Sequence, residues 1–133
     1  MRAGTAWEPS IKNDILWLLQ NASEDDAIAV YADATYAYEY YKHQVGNNHS
    51  YFVYGAPAAN EPLNVFGWRM DIPKEAEKQI SKAQVQQKQK IFFLSERISL
   101  DEFLFINYLS IHYDVVCLNE KINLCVIELD SGI

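Results

Sequence analysis

Apolar residues along this chain follow two rhythms, a helical spacing and short unbroken runs, and the two alternate. Ile11, Ile15, Leu18 and Leu19 stand at i, i+4, i+7 and i+8 behind Pro9 and Ser10. That spacing predicts an amphipathic helix, opened by a proline suited to a first turn and a serine suited to a cap. After the polar turn NASEDD comes AIAVYA (27–32), apolar on both faces and bounded by polar residues; a buried parallel strand reads this way. Residues 34–43 return to helical spacing, with Ala34, Ala37, Tyr38 and Tyr41 on one side. SYFVYG (50–55) predicts a second strand, closed by Gly55 and Pro57.

The stretch from Ala56 to Arg69 holds two prolines, two asparagines and a glycine and reads as loop. Residues 72–89 read as a strongly polar helix, with Glu75 and Glu77 early and Lys88 and Lys90 late, as the helix dipole favours. KIFFLS (90–95) is the clearest strand. Ser99, Asp101 and Glu102 then open a helix whose buried face is Phe103, Ile106, Leu109 and Tyr113. DVVCLNEKINLCVIELD closes the chain as two strands around a tight polar turn at Asn119–Lys121. The order α-β-α-β-α-β-α-β-β predicts one α/β domain over residues 1–133, a three-layer sandwich with a mainly parallel five-stranded sheet. Its strands fall near 27–32, 50–54, 90–95, 114–118 and 122–129. The last follows too closely for a crossover, so it forms an antiparallel C-terminal β-hairpin.

Composition narrows the function. With 133 residues, half of them hydrophobic, the chain can bury a normal core. Eleven basic against eighteen acidic residues give a net charge of −7, which repels phosphate backbones and anionic lipid, so no nucleic-acid partner is expected. No apolar run approaches the roughly 18 residues of a membrane span, and no apolar h-region follows Met1.

The chain carries none of the familiar catalytic patterns. The turn after the first strand reads YADATY, not G-x-G-x-x-G, and no phosphate-binding loop occurs. Ser95 lacks the flanking glycines of a nucleophile elbow. His43, His49 and His112 are not at zinc-ligand spacing, the cysteines form no C-x-x-C pair, and SEDD reads as a solvated turn rather than a calcium loop. No catalytic residue, metal or cofactor is therefore expected, and the chain alone should transfer or hydrolyse nothing. Cys117 and Cys125 read as two buried thiols acting as small hydrophobes; a bridge is the alternative if the loop between their strands is three residues long.

Open parallel sheets bind ligands beyond the carboxyl ends of their strands. There the chain places Asp33, Thr35 and Tyr36 after the first strand, Gly55 and Asn60 after the second, and Ser95, Glu96 and Arg97 after the third. Asp33, Thr35, Tyr36, Ser95, Glu96 and Arg97 are the candidate ligand-binding residues, with a surface salt bridge the plainer reading of Glu96 and Arg97. VYADATYAYEYY packs five tyrosines into twelve residues. Helical geometry assigns Tyr38 and Tyr41 to packing and turns Tyr36 and Tyr40 elsewhere. Packing is the weightier reading for the cluster, although such rings can also stack on sugar faces.

Two stretches carry a family resemblance. IKNDILWLLQNASEDDAIAVYADATYAYEYY has a helix, an acidic turn, a Val-Tyr strand and a helix with a Tyr-Tyr pair. KIFFLSERISLDEFLFINYLSIHYDVV with INLCVIELD has a strand ending in serine, an Asp-Glu helix with Asn-Tyr-Leu, and a terminal strand pair. The match, at Asp26, Val30, Tyr31, Tyr40, Tyr41, Phe93, Ser95, Asp101, Glu102, Tyr108 and Leu109, resembles the soluble C-terminal region of membrane glycosyltransferases related to the dolichyl-phosphate-mannose protein mannosyltransferases. The resemblance implies a non-catalytic extracytoplasmic domain, an accessory that binds a sugar or a partner, because transfer in that family depends on an acidic loop between membrane helices. The alternative is a stand-alone cytoplasmic protein, a homodimer, that uses the fold to bind a small polar ligand or another protein.

Overall fold

The computed structural model describes residues 9–55, 71–96, 100–118 and 123–129. The expected loop over 56–69 with Asn60, the candidate Arg97, the Ser99 helix start and the turn at Asn119–Lys121 lie outside the described residues. The elements are α1 (Pro9–Asn21), β1 (Asp26–Tyr31), a single 3₁₀ turn (Ala32–Ala34), α2 (Thr35–Gln44), β2 (Phe52–Tyr54), α3 (Ile72–Val85), β3 (Lys90–Leu94), α4 (Leu100–His112), β4 (Val115–Cys117) and β5 (Leu124–Glu128).

The strands form one mixed sheet in the order β2-β1-β3-β5-β4. β1 is parallel to both β2 and β3, whereas β5 is antiparallel to both β3 and β4. The sheet is thus parallel on one side and antiparallel on the other.

Successive residues of a strand point to opposite faces, and here both faces are covered. Ala27 and Ala29 of β1, Ile91 and Phe93 of β3, and Cys125 and Ile127 of β5 pack with Ala76, Ile80 and Ala83 of α3 and Phe105, Ile106 and Leu109 of α4. The alternate set, Ile28, Val30, Phe92, Leu94 and Leu124, packs with Ile11, Ile15 and Leu18 of α1 and Tyr38 of α2. That double burial is why AIAVYA and KIFFLS carry no polar interruption. The small side chains of Ala27 and Ala29 leave room for three rings: Tyr54 stacks on Phe105 at 4.7 Å, and Phe93 meets each of them edge-on at 5.5 Å.

Three expectations are corrected. α3 stops at Val85 rather than running to Gln89. Gln87 takes the left-handed conformation at φ 59, and Lys88 N–H bonds the Ala83 carbonyl at 3.0 Å while Gln87 N–H bonds that of Gln84 at 2.9 Å. This is a Schellman end with glutamine in the place glycine usually takes. Lys88 and Lys90 therefore lie beyond the helix, and Lys82 is the basic residue of its last turn.

The buried face of α4 is Glu102, Phe105, Ile106 and Leu109; Phe103 is half exposed. The helix is rotated because a carboxyl group, not a ring, turns inward at its first turn. Cys117 and Cys125, directly opposite each other in the β4–β5 pairing, form a disulfide rather than two thiols. No helix among the described residues is long and apolar enough to cross a membrane.

Candidate functional site

β1 and β3 are neighbours, but their outgoing connections diverge. The chain leaves β1 through α2 toward one edge of the sheet and leaves β3 through α4 toward the other. α2 covers one face and α4 the opposite one. A crevice outside the carboxyl ends of two such strands is where open α/β sheets hold ligands.

The segments that leave β1 and β3 touch at this end of the sheet. Asp33, exposed in the 3₁₀ turn after β1, accepts a hydrogen bond through Oδ1 from the Glu96 backbone N–H at 3.3 Å. The segment after β3 is pinned from the other side by Asn123. Ser95 N–H donates to the Asn123 carbonyl at 2.8 Å, and Asn123 Nδ2 donates to the carbonyls of Ser95 and Glu96 at 3.3 and 3.1 Å. Thr35 turns inward to cap the same turn, its hydroxyl donating to the Ala32 carbonyl at 2.9 Å.

Glu102 forms the floor, fully buried at the start of α4. Its Oε2 accepts from the Tyr54 hydroxyl at 2.9 Å. Burial pushes its carboxyl up to about 8; the Tyr54 hydrogen bond pulls it down, the Asp33 charge raises it, and the Ser95 hydroxyl lowers it again. The Ser95 hydroxyl is itself fully buried beside it. At neutral pH the floor is a neutral carboxylic acid. Tyr54, also fully buried, has its hydroxyl raised well above the ordinary tyrosine range by desolvation first and the Glu102 charge second.

Gly55, just after β2, sits at φ +80 under the Tyr31 ring; a Cβ there would lie 2.2 Å from Tyr31 Cε1. No side chain fits, so glycine lets the Tyr31 and Tyr54 rings meet edge-on at 5.2 Å. Gly55 N–H donates to Glu75 Oε2 at 3.1 Å.

Of the candidates named from the sequence, Asp33, Ser95 and Glu96 come together, Glu96 through its backbone rather than its carboxylate. Thr35 lies beside them as a cap. Tyr36 stands out into solvent, 86 % exposed. Tyr54, Glu102 and Asn123 were missed. For Glu102 a signal existed: it precedes Phe105, Ile106 and Leu109 by three, four and seven residues, the spacing of one helix face.

The tyrosine run divides as its helical spacing predicts. Tyr38 is fully buried, Tyr41 packs partly buried on the same cluster, and Tyr36 and Tyr40 are exposed. Tyr41→Ala should therefore lower stability by about 1–3 kcal/mol and Tyr36→Ala by less than about 1 kcal/mol. Denaturant melts of both variants would check this; equal large losses would make the whole run core.

A cavity of about 510 Å³ opens at the other edge, before β1, β2 and β3, lined by Ser23, Asn47, Asn48, His49, Ser50 and Lys88 among others. It is roomy but internally engaged. The His49 ring nitrogens lie 2.7 Å from the Ser50 and Ser23 carbonyls, and Lys88 Nζ donates to the Glu24 carbonyl at 2.6 Å. The partly neutralised cluster at the carboxyl edge, not this cavity, is the better candidate. Among the described residues no group of three or more histidine, cysteine or acidic side chains is placed to hold a metal ion.

No protein-family model, curated protein or solved structure matches the chain.

Proposed function

We propose that the chain is a binding domain of glycosyltransferase type, without turnover of its own, that takes a neutral polar ligand of carbohydrate chemistry in the crevice between β1 and β3. The observation that carries this reading is the Asp33–Glu96 contact across the crevice above a buried, uncharged Glu102. Asp33 and the backbone around Ser95 and Glu96 offer acceptors and donors to sugar hydroxyls, and Tyr36, three residues past Asp33, is the nearest exposed ring along the chain for stacking. Among the described residues the charged groups at the rim, Asp33 and Glu96, are acidic, which disfavours phosphorylated or carboxylated ligands.

The finer architecture belongs to the same reading: one domain, a three-layer sandwich with α1 and α2 on one face, α3 and α4 on the other, closed by a C-terminal β-hairpin. The Cys117–Cys125 disulfide supports an extracytoplasmic setting, since such bonds persist in oxidising compartments. It weighs against the alternative, a stand-alone cytoplasmic protein binding a small ligand.

The test is a ¹⁵N chemical-shift titration with neutral monosaccharides and with sugar phosphates. Neutral sugars should shift the amides of Asp33, Thr35, Ser95 and Glu96 with a dissociation constant on the order of 1 mM, and Asp33→Ala should weaken this about tenfold. Shifts confined elsewhere, or tighter binding of the phosphates, would sink the reading.

A further inference from the structure

α4 is apolar on two sides. Opposite its buried face, Leu100, Phe103, Leu104 and Ile111 are 65, 50, 38 and 70 % exposed. With Asn107 they stand at i, i+3, i+4, i+7 and i+11, one continuous stripe at 3.6 residues per turn, the spacing of a helix-packing seam. The stripe runs into a groove of about 300 Å³ between α4 and β4, lined by Phe103, Asn107, Ser110, Val115 and Cys117 among others. Apolar residues scattered singly on a surface need no explanation, but four in register on one helix do.

We propose that this stripe is the interface of a homodimer in which α4 packs antiparallel against α4 of a second copy. Charge placement selects that occupant. The stripe carries no ionised side chain, so the net charge of −7 acts only from a distance and is screened beyond about 10 Å at moderate salt. Asp101, in the first turn, and His112, in the last, lie on the same flank of the stripe. His112 is held there by its ring contact with Tyr108 at 4.3 Å.

A twofold axis across the helices sets each Asp101 carboxylate beside His112 of the partner copy, acceptor against donor, twice over. It also sets the positive end of each helix dipole beside the negative end of the other. Leu100 of each copy then lies against Ile111 of the partner copy. The four apolar side chains present on the order of 400 Å² per copy, short of the roughly 800 Å² a side of a standard interface, so the dimer is a weak one. This surface lies on the outer side of α4, and the inference stands whether or not the crevice binds sugar.

Sedimentation of the full chain across about 1–200 µM should show a monomer–dimer equilibrium with a dissociation constant on the order of 10 µM. Leu104→Glu should raise that constant at least about thirtyfold while leaving the melting temperature unchanged, since a charge would face the partner's apolar seam. Asp101→Lys alone should weaken the dimer roughly tenfold, and adding His112→Glu should restore it to within about threefold. A chain that stays monomeric at the highest concentration overturns the proposal. So does a dimer indifferent to Leu104→Glu, or a double variant no tighter than Asp101→Lys. A monomer that binds phosphatidylcholine vesicles through this stripe would assign the surface to lipid instead.

Discussion

Phe93→Ala is expected to lower the free energy of unfolding by about 3–5 kcal/mol, with the midpoint of a denaturant melt shifting to match. Phe93 is only 1 % exposed and lies mid-strand on β3, between parallel β1 and antiparallel β5. Its ring meets both Tyr54 and Phe105. Truncation removes the ring's own transfer energy and leaves a cavity that neither neighbour can fill without breaking its stacking or the Tyr54–Glu102 hydrogen bond. A loss below about 1 kcal/mol would mean that β3 is not the centre of the core.

Raising the pH from 5 to 9 is expected to destabilise the protein by on the order of a few kcal/mol, and Glu102→Gln should abolish most of that slope. The Glu102 carboxyl titrates near 4.5 in an unfolded chain and is pushed up to about 8 in the folded one. Between those values the folded state holds a proton that the unfolded state has released, so stability falls as pH rises. The contribution is fully present below the unfolded value and lost as pH passes through about 8. Glutamine keeps an acceptor for the Tyr54 hydroxyl and carries no proton to lose. Melting temperatures of both proteins at pH 5, 7 and 9 would decide it; parallel pH profiles would remove Glu102 from the titrating floor.

What could be read from the residues alone follows the physics of burial. β1 and β3 were legible because strands covered on both faces must be apolar throughout. α1 was legible because a helix covered on one face must repeat every three to four residues. The positions of Asp33 and Ser95 were legible because each directly follows the apolar run of a strand.

The rest depended on tertiary neighbours. The end of α3 rests on a glutamine adopting a conformation that sequence normally signals with glycine. Glu102 reads from the sequence only as a helix-opening acid, because its buried partner, the Tyr54 hydroxyl, lies forty-eight residues away. Glu96 acts through its backbone, which side-chain chemistry cannot announce. Asn123 holds the β3 rim only because β5 inserts between β3 and β4.

That insertion also sets an order of events during folding. β4 and β5 meet over a short stretch of chain, Cys117 opposite Cys125, whereas β1 meets β3 across a long separation, Asp26 opposite Lys90. Closing the larger loop is entropically dearer and slower. The C-terminal elements can therefore assemble while β3 still lacks its β1 neighbour, leaving one apolar edge of KIFFL unpaired. At high concentration that edge invites pairing with another chain, so the yield of refolded protein should fall with concentration more steeply than the stability of the finished fold would suggest.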